Sequence, residues 1–315
     1  MDESARDRYV EALLDSLDLR DAFCRTSADK GVDALRSHIA EVVVEAAREG
    51  SHPAVLKFTM LHSGLRQAFA MALLIQAAKA DRVAVQSLRM RAEAVVAERR
   101  GGRAQRVVGP VSWKDVEERR TRRAAEHADG YEVRMDADPR LRVGGRLPAL
   151  PRMAQMTDAE LTGLLRRFGI VPDRVALLEA AVEREATRLL AADNPSRTLV
   201  ENVQGRAEAA VRRELMVSAK DAVRRYERAR ISDAGALRWQ CCFRNSCDDC
   251  IGLHGEHRDP ADWEGEEPGN PNLQCNGLCN CVLEPVVWHS GPSAGDVEET
   301  LVDLGDPDAL EPVTA

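Results

Sequence analysis

Aromatic residues make up only 4% of this 315-residue chain: five Phe, four Trp and three Tyr. The apolar content is mostly Ala, Val and Leu, a mix that suits long amphipathic helices better than a compact aromatic-rich core. Long apolar runs are also missing. The most apolar stretch, residues 69–78, is bounded by Arg66 and Lys79 and falls well short of the roughly 18 residues that span a membrane. The first residues, Met-Asp-Glu-Ser-Ala-Arg-Asp-Arg, hold no charged-then-apolar leader. The expectation is a soluble chain that is not secreted, with reduced thiols and no membrane partner. There is no glycine-rich phosphate loop, no serine-nucleophile motif, no H-E-x-x-H pair and no internal repeat. No residue is assigned a catalytic or cofactor-binding role, and the chain is not expected to be an enzyme. Cysteine is nearly absent from the first 240 residues, where Cys24 stands alone and reads as a small apolar filler.

Charge is present in quantity but unevenly spread. The net charge is −8, yet from position 247 onward sixteen Asp and Glu face a single Arg258, so that region carries about −15. The basic excess lies upstream, much of it in residues 99–146, with thirteen Lys and Arg against eight Asp and Glu. That stretch has two readings. It can touch packaged DNA, or it can be a solvated helix face, because Glu117, Glu118 and Glu126 interleave with Arg119, Arg120, Arg122 and Arg123. The second reading is the more economical.

Periodicity predicts a mainly α protein, with an N-terminal helical bundle, long helices, and a small C-terminal α+β module stabilised by zinc. Residues 1–100 read as a helical domain of four helices, near 2–20, 32–48, 53–80 and 81–99. The second carries the stripe Leu35, Ile39, Val42, Val43 and Ala46, and the third Leu61, Leu65, Phe69 and Leu73, at helical spacing. Residues 101–156 form an Arg/Gly/Pro-rich connector. One helix over 113–127 is expected there behind a Ser112/Asp115 cap, then a loose hairpin or loop over 131–151. Residues 157–290 hold the long helices and the cysteine-rich module. Thr157 with Glu160 forms a capping box for a helix to Gly169, and further helices are expected at 172–192 and 198–231. The tail, 291–315, has seven acids and no basic residue and is expected to be mobile.

Seven of the eight cysteines lie between 241 and 281. Cys247-Asp-Asp-Cys250 lets two thiolates reach one ion from a single turn, and Cys275, Cys279 and Cys281 supply a second group at metal-site spacing. Cys279 and Cys281 flank Asn280, so in an extended strand both point the same way. A structural zinc ion held by four of Cys247, Cys250, Cys275, Cys279 and Cys281 is the leading reading. His254, Cys241 and Cys242 are weaker candidates, and a disulfide knot or free thiols are the alternatives. A nucleobase deaminase is excluded, because its H-x-E must precede a P-C-x-x-C, whereas Ser246 precedes Cys247 and His254-Gly-Glu256 follows. The acidic surroundings argue against a nucleic-acid-reading finger.

The wider order is Arg213-Glu214, Tyr226, Trp239, Cys247-x-x-Cys250-x-x-Leu253-x-Gly255, then Cys279-Asn-Cys281-Val-Leu-Glu-Pro285-Val286. It resembles the C-terminal region of the Mu F-like phage head morphogenesis proteins, also called minor head or minor capsid proteins, over roughly residues 205–287. There are three departures from the family pattern. No Thr stands between Arg213 and Glu214, Cys275 stands near the family's His, and Asn280 replaces an Arg. The resemblance implies a virion protein of a tailed phage or prophage, found at the portal vertex or head interior. Portal or major capsid protein would be its partner, and it would assist head assembly, DNA packaging or delivery. Two alternatives are a head-maturation protease or other enzyme on the same scaffold, and a zinc-stabilised adaptor with no virion role.

Overall fold

The structure is a computed structural model that describes residues 3–49, 64–100, 156–168, 170, 173–190, 195–231, 235–241, 246–263, 265–270, 272–275 and 279–290. The expected helix at 113–127, the hairpin or loop at 131–151, the helix start at 51–53, Cys242 and the acidic tail lie outside the described residues. The described chain is mainly helical, with a small C-terminal module of short strands. The helices are α1 (Glu3–Glu49), α2 (Leu65–Arg100), α3 (Asp158–Arg167), α4 (Asp173–Leu190) and α5 (Arg197–Ile231). The module contains β1 (Leu237–Gln240), α6 (Asp248–Gly252), β2 (His257–Arg258), a 3-10 turn (Pro260–Trp263), β3 (Val282–Pro285) and α7 (Val287–Ser290). No described helix is long and apolar enough to cross a membrane.

Two of the expected helix breaks are absent. Residues 2–48 were expected as two helices, but α1 runs through the gap. Its buried stripe continues there on small residues, Cys24 and Ala28. Gly31 extends it, since a Cβ at that position would stand 2.7 Å from Cδ1 of Leu215 on α5. The glycine is in the helix because a neighbour comes close, not because the helix ends. Asp81, expected as a cap, lies inside α2 and pairs with Arg230 of α5 at 3.2 Å. The capping box of α3 is present. Thr157 Oγ1 accepts from the Glu160 amide at 3.3 Å, and Glu160 Oε2 accepts from the Thr157 amide at 2.8 Å.

The described residues fall into two compact units. A helical unit lies within Cys24–Lys79 and Gly145–Ala222, and a cysteine unit within Met1–Phe23, Ala80–Gly144 and Val223–Glu311. In the helical unit, Val203, Ala207, Val211 and Leu215 of α5 bury at four-residue spacing with Leu35 and Ile39 of α1, Phe69 and Leu73 of α2, and Leu178 and Val182 of α4. Each buried Leu or Phe contributes roughly 1.5–3 kcal/mol. In the cysteine unit, Tyr9, Leu13 and Leu17 of α1, Leu88 and Val95 of α2 and Ile231 of α5 share a core with Trp239, Trp263, Trp288 and the thiols.

Candidate metal centre

The three strands pair in the order β2-β1-β3, both pairs antiparallel. Trp239 of β1 is fully buried, with its ring 5.6 Å from that of Trp263. Trp263 Nε1 donates to Leu237 O at 3.1 Å, which ties the 3-10 turn to β1. Gly255 has φ +84°, a turn geometry that suits glycine, and its amide donates to Trp239 O at 2.9 Å. The C-x-x-C-x-x-L-x-G spacing is thus a helical turn bearing two thiols, followed by a reverse turn that returns the chain to β1.

Cys247 sits at the N-cap of α6 and Cys250 one turn later. Their sulfurs are 3.6 Å apart, and Cys250 Sγ is 3.8 Å from Cys275 Sγ. Asp249 of α6 holds the Cys275 loop in place by accepting from the Gln274 amide at 2.9 Å. Cys279 and Cys281 arrive from the other side, just before β3, both fully buried. The sulfurs form two sets, Cys247–Cys250–Cys275 and Cys250–Cys279–Cys281, each with all separations within 4.8 Å. All five expected residues are brought together. An ion bound by four thiolates at about 2.3 Å has sulfur–sulfur edges of about 3.8 Å. The measured 3.6 and 3.8 Å separations match that edge, so the cluster can hold a metal ion.

The electrostatics favour a cation. Hydrogen bonds from Cys250, Cys275 and Cys281, with the nearby Arg224 charge, hold the Cys279 thiol far below its ordinary pKa. The same contacts, first with Cys279 and then with Cys281, push Cys250 far up. Burial opposes ionisation of Cys247, but hydrogen bonds from Cys250 and Cys275 outweigh it and lower that thiol. A thiolate is the form that ligates metal. Arg224 of α5 is buried and donates through Nη2 to Cys279 O, with the same nitrogen 3.7 Å from Cys279 Sγ. It reaches the thiols beneath Gly269, where φ is +95° and a Cβ would overlap the guanidinium.

The weaker candidates separate. His254 Nδ1 accepts from the Cys241 amide at 3.2 Å and belongs to neither thiol set. Cys241 is fully buried, and its sulfur lies 3.9 Å from Cys281 Sγ. Arg213 is exposed on α5 and Glu214 partly buried, while the adjacent Arg212 pairs with Asp29. Asn280 has a defined role: its Nδ2 donates to buried Asp21 Oδ1 at 2.8 Å. Glu266 and Glu267 pair with Arg258 at 2.6 Å and Arg228 at 3.0 Å. Arg258 in turn lies 4.5 Å over the Trp263 ring.

One cluster was missed by sequence reasoning. Arg91 of α2, fully buried, donates to Glu284 of β3 at 2.9 Å and to Glu227 of α5 at 3.1 Å. Ser87 Oγ donates to Glu227 at 2.7 Å, Arg20 lies 3.5 Å from it, and Tyr9 OH donates to Glu284. Burial, then the Glu284 charge, raises the Tyr9 pKa well above its ordinary value. Burial opposes the Arg91 charge, yet the two glutamates outweigh it and raise its pKa. The only signal available was the acidic Glu284 within the apolar run Val282-Leu283-Glu284-Pro285. Comparison with protein-family models, with curated proteins and with solved structures gave no match.

Proposed function

We propose that this chain is a structural minor head protein of a tailed phage or prophage, and that its cysteine cluster holds a structural zinc ion. One observation carries the reading. Seven of the residues that bear the resemblance to the Mu F-like proteins (Trp239, Cys247, Cys250, Leu253, Gly255, Cys279 and Cys281) serve one small module, as buried ring, thiols, packed side chain or turn, while Arg213 and Glu214 lie outside it. An all-sulfur tetrahedral donor set suits zinc, and a shell closed by thiolates suits a structural rather than a catalytic ion. On this reading the chain works in the virion, at the portal vertex or inside the head, with portal or major capsid protein as partner. Contact with packaged DNA through residues 99–146 rests on their charge count alone.

Co-expression with the portal protein of the same phage genome tests it. The expected result is co-purification of the two and zinc in the purified chain. Absence of portal association, with zinc retained, would favour a zinc-stabilised adaptor without a virion role. Cleavage of the capsid protein by the chain would favour the protease alternative.

A further inference from the structure

We propose that the cluster is a two-metal centre, with Cys250 as a bridging thiolate and Cys241 as a sixth ligand. The inference rests on reading the cluster as a metal site and concerns how many divalent, thiophilic ions it holds. A single tetrahedral ion takes four thiolates whose mutual separations are all about 3.8 Å. The five sulfurs here are instead grouped as two triads sharing Cys250: Cys247–Cys250–Cys275 and Cys250–Cys279–Cys281. A single four-coordinate ion leaves at least one of these five thiols without metal, whereas one ion per triad uses all five.

Each triad needs a fourth sulfur, and each has one nearby. For the first it is Cys279, whose sulfur lies within 4.8 Å of that of Cys250. For the second it is Cys241, 3.9 Å from Cys281. The β1–β3 register runs from Leu237 opposite Pro285 to Gln240 opposite Val282, so its next step sets Cys241 opposite Cys281. Cys241 lies outside both triads as they stand. Joining the second ion requires its side chain to turn from Ser246 Oγ, now 3.0 Å away. Each ion would then have four sulfurs, with Cys250 and Cys279 bridging and Cys241, Cys247, Cys275 and Cys281 terminal. Six thiolates on two dications carry the same net charge as four on one, so the second ion adds no net charge to this buried site. Arg224, which touches Cys279, then lies against a bridge.

The test is a metal count on the full-length chain, purified reduced and loaded with zinc, beside a sample loaded with cadmium-113. Two ions per chain are expected, with two cadmium resonances each split by the other through a shared sulfur. Cys241→Ser should fall to one ion with unchanged helical circular dichroism. One ion in both the wild type and Cys241→Ser, with a single cadmium resonance, overturns the two-metal centre and leaves the zinc reading standing. No bound ion overturns both. Should Cys241→Ser fail to fold, the wild-type count and the cadmium splitting decide the matter without it.

Discussion

In the helical unit the packed residues of α1, α2, α4 and α5 are mostly Leu, Ile, Val, Phe and Ala, while the ion pair Arg212–Asp29 is open to solvent. In the cysteine unit the buried set includes Arg91, Glu284, Glu227 and Arg20 as well as three Trp and the thiols. Apolar burial is non-directional and roughly proportional to area, so the helical unit should lose stability in small steps as side chains are trimmed. Thiol and ionic clusters are directional, and leaving one member unpaired costs more than the whole cluster contributes. The cysteine unit should therefore fail abruptly.

The largest effect is expected from removing metal. Structural zinc sites contribute on the order of 10 kcal/mol in small peptides, and Cys250 is the thiol shared by both triads. A strong chelator, or Cys250→Ser, should shift the fluorescence of buried Trp239, Trp263 and Trp288 to the red while most of the far-ultraviolet helix signal survives. Equal loss of both signals, or of neither, would break the contrast between the units.

Next comes Arg91→Met, which leaves Glu227 and Glu284 buried without their shared cation. The expected loss is about 3–5 kcal/mol, read as a fall in the urea midpoint of tryptophan fluorescence. Adding Glu227→Gln and Glu284→Gln should restore much of it, because the carboxylates then no longer need a counter-charge. No recovery in the triple variant would show that Arg91 acts through packing and not through charge.

Tyr9→Phe should cost about 2 kcal/mol near neutral pH, the worth of a hydrogen bond to a charged group. Its pH dependence sharpens the point. Burial, then the Glu284 charge, raises the folded-state pKa of the phenol, while in the unfolded chain it ionises near about pH 10. Above that pH the unfolded state binds fewer protons, so wild-type stability falls as pH rises. Tyr9→Phe lacks that slope, and the gap between the two proteins should narrow above about pH 10. A constant gap would place Tyr9 outside the ionic cluster.

How much of this was legible follows from whether a signal is local. The α3 cap and the span of α5 are written within a few residues and were readable. The continuity of α1 was not, because the gap expected between residues 20 and 32 holds Gly31, whose close neighbour Leu215 lies far along the chain. The cysteine cluster divides the same way. Cys247 and Cys250 declare themselves by spacing, and Cys275, Cys279 and Cys281 by clustering. The place proposed for Cys241 comes from a strand register. Arg91 and Glu284 are 193 positions apart, and neither residue has a sequence neighbour that announces the pair.

The smallest expected effect comes from the helical unit and completes the contrast with Arg91. Arg212 and Asp29 pair with side chains 44% and 52% exposed. Water already solvates both charges, so pairing gains little and ordering two side chains costs entropy. Arg212→Gln should lower stability by no more than about 0.5 kcal/mol. In about 1 M salt, where exposed charges are screened within roughly 3 Å, the variant and wild type should unfold at the same urea concentration. Arg91→Met should keep most of its deficit in that salt, because its partners lie where ions do not reach. If the two deficits shrank together, burial would not be what separates an ion pair that holds a unit together from one that decorates a surface.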